Sequence, residues 1–308
     1  MPKPKKPKYH AGTATIVGLP NAGKSTLLNA IVGEKIAIVT AKAQTTRTAL
    51  NGVWTGENAQ IVFVDTPGLH KSDTVINRRM MQSVRAAMDA IDVIILVVDA
   101  TKTPGQDIAQ AVDLVKKPGT PVFLVLNKVD SIHDKSKLFA LIEQYQALHD
   151  FAAFIPVSAK KGEGVDELRK AIITYLPVGE RVYPEDHLTD VPSRFLAAEM
   201  VREKILILAQ QEVPHSVAVL VDEWEDKPNV IRIAATIYVE RAGQKNIIVG
   251  AAGAMIKKIG SAARAEMELF FDKKIFLELF VKVKPDWRNQ PEFLNELDWR
   301  RMVNDSDV

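Results

Sequence analysis

The chain has 308 residues, 47% of them hydrophobic and 25% charged, with 16 glycines and 16 prolines. That size and balance fit two ordinary globular domains and exclude collagenous, low-complexity and disordered classes. The lack of cysteine excludes a disulfide framework and any thiolate zinc site, the six histidines show no metal-ligand spacing, and a formal charge of +2 says little until its distribution is known.

Residues 1–8 carry Lys3, Lys5, Lys6 and Lys8 among three prolines with no apolar stretch, so they read as a disordered basic tail rather than a secretory leader. Apolar runs rich in Val and Ile follow at 14–17, 61–64, 93–98 and 122–126, with another at 154–157. The longest is too short to cross a bilayer, and a cytoplasmic protein is expected. Continuous rather than alternating apolarity predicts strands buried on both faces. Amphipathic stretches at 24–32, 77–90, 107–116 and 165–176 predict helices between them. The alternation predicts an α/β domain over 9–176, with a mainly parallel sheet and flanking helices.

Gly18-Leu19-Pro20-Asn21-Ala22-Gly23-Lys24-Ser25 fits G-x-x-x-x-G-K-[ST] and lies between the first strand and the first helix. Glycines at this spacing let backbone N–H groups curl around phosphate oxygens at a helix N-terminus. Gly18, Asn21, Ala22, Gly23, Lys24, Ser25 and Thr26 are the expected phosphate cradle, with Lys24 reaching the β and γ phosphates and the Ser25 hydroxyl on Mg²⁺. Asp65-Thr66-Pro67-Gly68 follows the second strand, placing Asp65 to hold a Mg²⁺ water and the Gly68 N–H to meet the γ-phosphate. Asn127-Lys128-Val129-Asp130 follows the fourth strand. A carboxylate at Asp130 can accept from guanine N1–H and the 2-amino group, a donor pair that adenine lacks. Lys128 would lie along the purine, and Asn127 would tie its loop to the phosphate loop. Ser158-Ala159-Lys160 would present the Ala159 N–H to guanine O6.

Residues 177–191 combine prolines and charges without periodicity, as in a linker. Beyond it a helix is expected from 194 to about 211, strands at 216–223 and 230–240, a short helix before Gly250, a longer one over 254–270 and a strand at 275–283. This α-β-β-α-α-β order, with Gly250-Ala251-Ala252-Gly253 between the last two helices, fits an α+β type II KH domain over 192–288. Such a turn clamps a nucleic-acid backbone. Lys257 and Lys258 are expected to reach phosphates, whereas Arg264 reads as part of a solvated face. Between 241 and 288 ten basic residues stand against five acidic ones, which favours RNA. Residues 289–308 read as a C-terminal tail.

The four ordered nucleotide motifs resemble those of the translation-factor-like GTPases. With the segments 183–186, 202–204, 214–219 and 281–288, the chain is similar to the Era family within them. The resemblance spans about residues 9 to 288. It implies that Gln44-Thr45-Thr46-Arg47 is switch I, with the Thr46 hydroxyl a second Mg²⁺ ligand and Lys24, Thr46 and Gly68 the catalytic set. It implies GTP hydrolysis to GDP, binding of 16S ribosomal RNA near its 3′ end, a role in 30S subunit maturation, and a monomer. Allosteric coupling between the sites is expected to pass through the linker. Leu69 stands where small G proteins carry a water-orienting glutamine, so slow turnover is expected. Asn21 either shapes the loop or, as in potassium-dependent relatives, helps to hold K⁺. The rival reading is a signalling switch that recruits a protein or associates peripherally with the inner membrane surface, with the second domain as an interaction module.

Overall fold

The computed structural model describes residues 8–42, 44–69, 74–116, 119–209, 213 and 216–302; residues 1–7 of the tail expected over 1–8, the end of the C-terminal tail, and Pro214 and His215 lie outside them. The contacts divide the chain into two compact units, one of residues 1–36, 46–71 and 80–190, the other of 37–45, 72–79 and 191–308.

In the first unit the expected α/β architecture is present. The strands are β1 (His10–Val17), β2 (Leu50–Thr55), β3 (Ala59–Asp65), β4 (Val93–Asp99), β5 (Val122–Asn127) and β6 (Ala153–Val157). Among the described residues they form one sheet in the order β2-β3-β1-β4-β5-β6, antiparallel at the β2 edge and parallel elsewhere. Every β5 residue is buried, as are all of β4 but Asp99, which is why these strands read as unbroken apolar runs. The helices α1 (Lys24–Val32), α2 (Val75–Ala86), α3 (Gln106–Val115), α4 (Lys137–Gln146) and α5 (Val165–Ile173) complete this part of the chain. The helix expected to run to residue 176 stops at Ile173, and Thr174, Tyr175 and Leu176 follow with tighter i to i−3 hydrogen bonds just before Pro177.

The segment after Pro177 is tied down as far as Asp190. Gln60, fully buried in β3, accepts from the N–H groups of Val182 (2.8 Å) and Tyr183 (2.9 Å) and donates to the Tyr183 carbonyl (2.9 Å). The Val53 N–H donates to Leu188 O at 2.8 Å, and the Thr189 hydroxyl to Asn51 O at 2.5 Å, so the segment covers the exposed edge of β2. Tyr183 stacks on His187 with ring centres 4.5 Å apart, and both donate to Asp190.

The second unit carries α6 (Ser193–Leu208), β7 (Ala218–Lys227), β8 (Val230–Val239), α7 (Ala242–Val249), α8 (Ala254–Phe271) and β9 (Lys274–Val283). Among the described residues β7-β8-β9 is one sheet, with β8 antiparallel to β7 and parallel to β9. Val201, Ile205, Ile237, Ile259, Ala263 and Met267 are fully buried in its core, and Ile38 joins that core from the segment 37–45. Residues 289–302, expected as tail, form two helices, α9 (Pro291–Glu296) and α10 (Trp299–Met302). Phe293 and Trp299 bury themselves, and Phe293 meets the Tyr238 ring 4.8 Å away. The neighbouring Trp287 is fully buried and donates its indole N–H to Ser216 O at 3.0 Å.

Candidate nucleotide and nucleic-acid sites

The phosphate loop follows β1 directly. Gly23 caps α1 with φ 98°, in the left-handed region that favours glycine, and a side chain there would run into the Asn127 amide. Asn21 is also left-handed, at φ 62°, a conformation asparagine tolerates better than most residues, and its side chain is exposed. Thr26 lies half-buried in the first turn of α1. Lys24 is buried and donates to the carbonyls of Gly18 and Leu19, both at 3.1 Å. Burial pulls its pKa down to about 8, against the opposing attraction of Asp65, so it remains a cation at neutral pH.

Three of the expected metal residues meet. The Ser25 hydroxyl lies 2.7 Å from that of Thr46 and donates to Asp65 Oδ2 at 2.6 Å. Asp65 is fully buried, and its other oxygen, Oδ1, has no hydrogen-bond partner among the described residues. Burial pushes its carboxyl up to about 6, against the Lys24 charge and hydrogen bonds from Ser25, Thr46 and the Thr66 backbone. Two hydroxyls and a carboxylate with an unused buried oxygen form a hard, all-oxygen donor set that fits Mg²⁺. Gly68 packs closely against Pro20, with 3.1 Å between a Cβ built on Gly68 and Pro20 Cα, and the Leu69 N–H donates to Gly18 O at 3.3 Å. The Leu69 side chain packs against the apolar core.

The guanine residues converge at the ends of β5 and β6. Asn127 donates to Ala22 O at 2.8 Å, and its Oδ1 accepts from the N–H groups of Lys128 (2.8 Å) and Ala159 (3.0 Å). It therefore ties the phosphate loop to the loops after β5 and β6, and the Ala159 N–H expected to face guanine O6 donates here to Asn127. The Ser158 hydroxyl donates to Asp130 Oδ1 at 2.7 Å and, as the largest cause, holds that carboxyl below the usual range. Lys160 is exposed. Lys128 is left-handed at φ 69°, and its ammonium lies 2.7 Å from Asp99 Oδ2. Asp99 escapes a motif search; its only sequence signal is its place at the end of β4, where it pairs in register with Asn127.

In the second unit, Gly250 (φ 74°) and Gly253 (φ 79°) bracket a turn in which Ala251 and Ala252 are exposed. A side chain on Gly250 would come within 2.8 Å of the Met255 nitrogen, so the turn needs glycine there. Lys257 and Lys258 are exposed in the first turns of α8, and Arg264 is exposed further along it.

Residues 13–128 match the family model described as a 50S ribosome-binding GTPase, and residues 212–288 match the KH domain model. The GTPase Era of Ruminiclostridium cellulolyticum is 46% identical over 297 residues, covering 96% of this chain and 99% of its own. That of Syntrophus aciditrophicus is 46% identical over 293 residues, covering 94% and 95%. A crystal structure of Era with MgGDPNP and nucleotides 1506–1542 of 16S ribosomal RNA superposes with a TM-score of 0.92 at 40% identity, covering 94% of this chain and 99% of that one. A point variant of Aquifex aeolicus Era bound to GDP·AlF4⁻ gives 0.91 at 40% identity, with the same coverage.

Proposed function

The chain belongs to the Era family of GTPases, and on that premise we propose that it binds GTP and GDP with Mg²⁺, hydrolyses GTP, and binds 16S ribosomal RNA near its 3′ end to assist 30S subunit maturation. The observation that carries the catalytic reading is the meeting of Ser25, Thr46 and Asp65, which leaves one buried Asp65 oxygen unused, with the buried cationic Lys24 next to Ser25 in the chain.

Gly18, Asn21, Ala22, Gly23, Ser25 and Thr26 supply phosphate-loop N–H groups, and the α1 N-terminus adds positive potential. Lys24 exchanges its two carbonyl partners for phosphate oxygens. Ser25 and Thr46 would ligate Mg²⁺ directly and Asp65 through a water. When bound, the ion neutralises charge on the phosphate oxygens as the γ-phosphoryl transfers. The Gly68 N–H meets the γ-phosphate. With Leu69 packed away in the core, no side chain at that position orients the attacking water, and slow intrinsic turnover follows. Asn21, exposed at the rim of the loop, is the residue that would take part in holding K⁺.

Asp130 reads the guanine N1–H and 2-amino group, Lys128 covers the purine, and the Ser158-Ala159-Lys160 loop closes the base site. Gly250, Ala251, Ala252 and Gly253 clamp the RNA backbone, with Lys257 and Lys258 on phosphates. The KH match over 212–288 supports RNA over the rival reading of a protein- or membrane-recruiting module. Among the described residues no helix is long and apolar enough to cross a membrane. The reading includes a monomer working in the cytoplasm, where ribosomal RNA is found.

The experiment is phosphate release by the purified chain with GTP or ATP, with and without Mg²⁺. Slow release from GTP alone, dependent on Mg²⁺, is expected. Equal turnover of ATP would overturn the guanine reading.

A further inference from the structure

Three consecutive residues of α6 face two parts of the second unit that the sites above leave unconnected. Arg202, 2% exposed, is held bidentately by Glu199, with Nε and Nη2 each 2.6 Å from a carboxylate oxygen, and Nη2 also donates to the Thr45 carbonyl. Thr45 directly precedes Thr46. Glu203, 1% exposed, accepts the Val39 N–H at 2.8 Å. Lys204 lies 2.8 Å from Glu203 and is also paired with Glu266 of α8. A charged hydrogen bond thus grips the segment 37–45 near each end, and the side chain of Ile38 anchors it in the apolar core between them.

A cation beside a buried carboxylate offsets its desolvation, and Lys204 is such a cation for Glu203. Burial alone would lower the Lys204 pKa, yet the two carboxylates outweigh it and raise it, so the ammonium is secure at neutral pH. Without Lys204, Glu203 and Glu266 lose the cation they share, which weakens the hold of Glu203 on Val39. Arg202 Nη1 is buried with no hydrogen-bond partner among the described residues, an unused donor that a different arrangement of switch I can take up. Glu266 lies on the same rigid helix as Lys257 and Lys258, two to three turns away, or roughly 12–14 Å at 1.5 Å per residue.

We propose that Arg202 and Glu203 are positioning residues that hold switch I, and hence Thr46, for GTP hydrolysis, and that the Lys204–Glu266 pair makes this hold depend on α8, the helix that follows the RNA-clamping turn. Coupling between nucleotide and RNA then runs through α6, not through the 177–190 segment, whose hydrogen bonds named above stay within the first unit. The RNA half of the proposal rests on the KH reading; the switch I half does not.

The test uses the full chain in two arms. Without RNA, Glu203→Gln, Lys204→Met and Glu266→Gln should each slow GTP turnover at saturating Mg²⁺ at least threefold and speed hydrogen exchange at the Val39 amide, while GDP affinity stays within twofold. Lys204→Arg, which keeps the charge, should stay near wild type. A fold defect would lower GDP affinity and melting temperature together, so it is separable. Unchanged turnover and Val39 exchange in all three variants would overturn the proposal.

In the second arm, affinity for a single-stranded RNA of the 16S 3′-end sequence is compared between GDP and GDPNP. The wild type should differ at least fivefold between the nucleotides, a typical coupling between sites, and Lys204→Met should bring the ratio to within twofold of one. A ratio unchanged by Lys204→Met would overturn the link to α8. Failure of the wild type to bind RNA in either state would defeat the RNA reading instead, leaving the first arm to decide the role of α6.

Discussion

Asp99 Oδ2 lies 2.7 Å from the Lys128 ammonium, and the Thr101 hydroxyl and N–H also donate to Asp99, at 2.6 and 3.1 Å on Oδ1. The pair fixes the lysine side chain, whose methylene stem would cover a purine in the proposed base site. Burial works against the Asp99 charge, but the hydrogen bonds from Lys128 and Thr101 outweigh it and hold the carboxyl below the usual range. Because Lys128 is partly exposed, solvent weakens the pair. Asp99→Ala should therefore weaken GDP and GTP binding alike by about fivefold, consistent with roughly 1 kcal/mol for such a bond, and leave the turnover of bound GTP nearly unchanged. Equilibrium titration and single-turnover hydrolysis separate the two effects.

The buried Lys24–Asp65 pair predicts a pH window. Asp65 has a folded pKa raised from 3.8 to about 6, so the folded state holds a proton that the unfolded chain has lost between those values. In the nucleotide-free protein this group's contribution to stability is therefore fully present below about pH 4 and falls as pH rises through 6. Binding of Mg²⁺ with nucleotide, which needs the carboxylate, should tighten over the same interval. Lys24, lowered from 10.5 to about 8, loses its proton above pH 8 and should weaken phosphate binding there. The expected profile of GTP affinity rises to a plateau between about pH 6 and 8, and Asp65→Asn should remove its acid limb. A titration series in matched ionic strength checks both limbs.

Trp287 predicts a stability effect outside either site. Its indole is fully buried, donates to Ser216 O and meets the Phe293 ring 5.9 Å away. Trp287→Ala should cost about 3–5 kcal/mol by leaving a cavity and removing the indole hydrogen bond, whereas Trp287→Phe, which keeps much of the volume, should cost roughly half. Denaturant unfolding followed by a probe in the second unit measures the difference.

What the sequence discloses follows from how local each signal is. The parallel strands announce themselves because burial on both faces makes them continuously apolar, and the phosphate loop because its glycines sit between such a strand and a helix. The edge strand β2 is hidden: Asn51 and Gly52 break its apolar run, and its outer edge is covered by the 177–190 segment, whose anchor Gln60 looks like an ordinary polar strand residue. Helix α4 is blurred by Phe139, an apolar side chain on the solvent face, 72% exposed. Beyond Arg288 the aromatic residues Phe293 and Trp299 are few and widely spaced, so two buried helices read as a tail. Ser25, Thr46 and Asp65 can be named from motifs and family resemblance, but their meeting depends on three separate elements. Arg202 and Glu203 can be quoted from sequence without any hint of their partners, which lie more than 150 residues earlier in the chain.

The proposed guanine reading assigns base choice to one carboxylate. The Ser158 hydrogen bond holds the Asp130 carboxyl below its usual range, and an amide at this position would pair with a 2-oxo rather than a 2-amino group. Asp130→Asn should weaken GTP binding by at least tenfold and improve binding of xanthosine triphosphate by a similar factor. Competition titration with both nucleotides checks the exchange.

The exposed Ala251 and Ala252 make it possible to ask whether the chain joins an RNA clamp to its guanine nucleotide site. The measurement is a salt titration of affinity for the 16S 3′-end RNA by the wild type, Ala251→Lys and the double variant Ala251→Asp with Ala252→Asp, each with GDPNP. If backbone N–H groups of this turn hold the RNA, the double acid variant loses binding, while the lysine variant binds tighter and steepens the dependence of log K on log salt by about one unit. Basal GTP hydrolysis without RNA stays near wild type in all three. Equal affinities and equal slopes across the three proteins would contradict the account and reduce the Gly250–Gly253 turn to a connection between two helices.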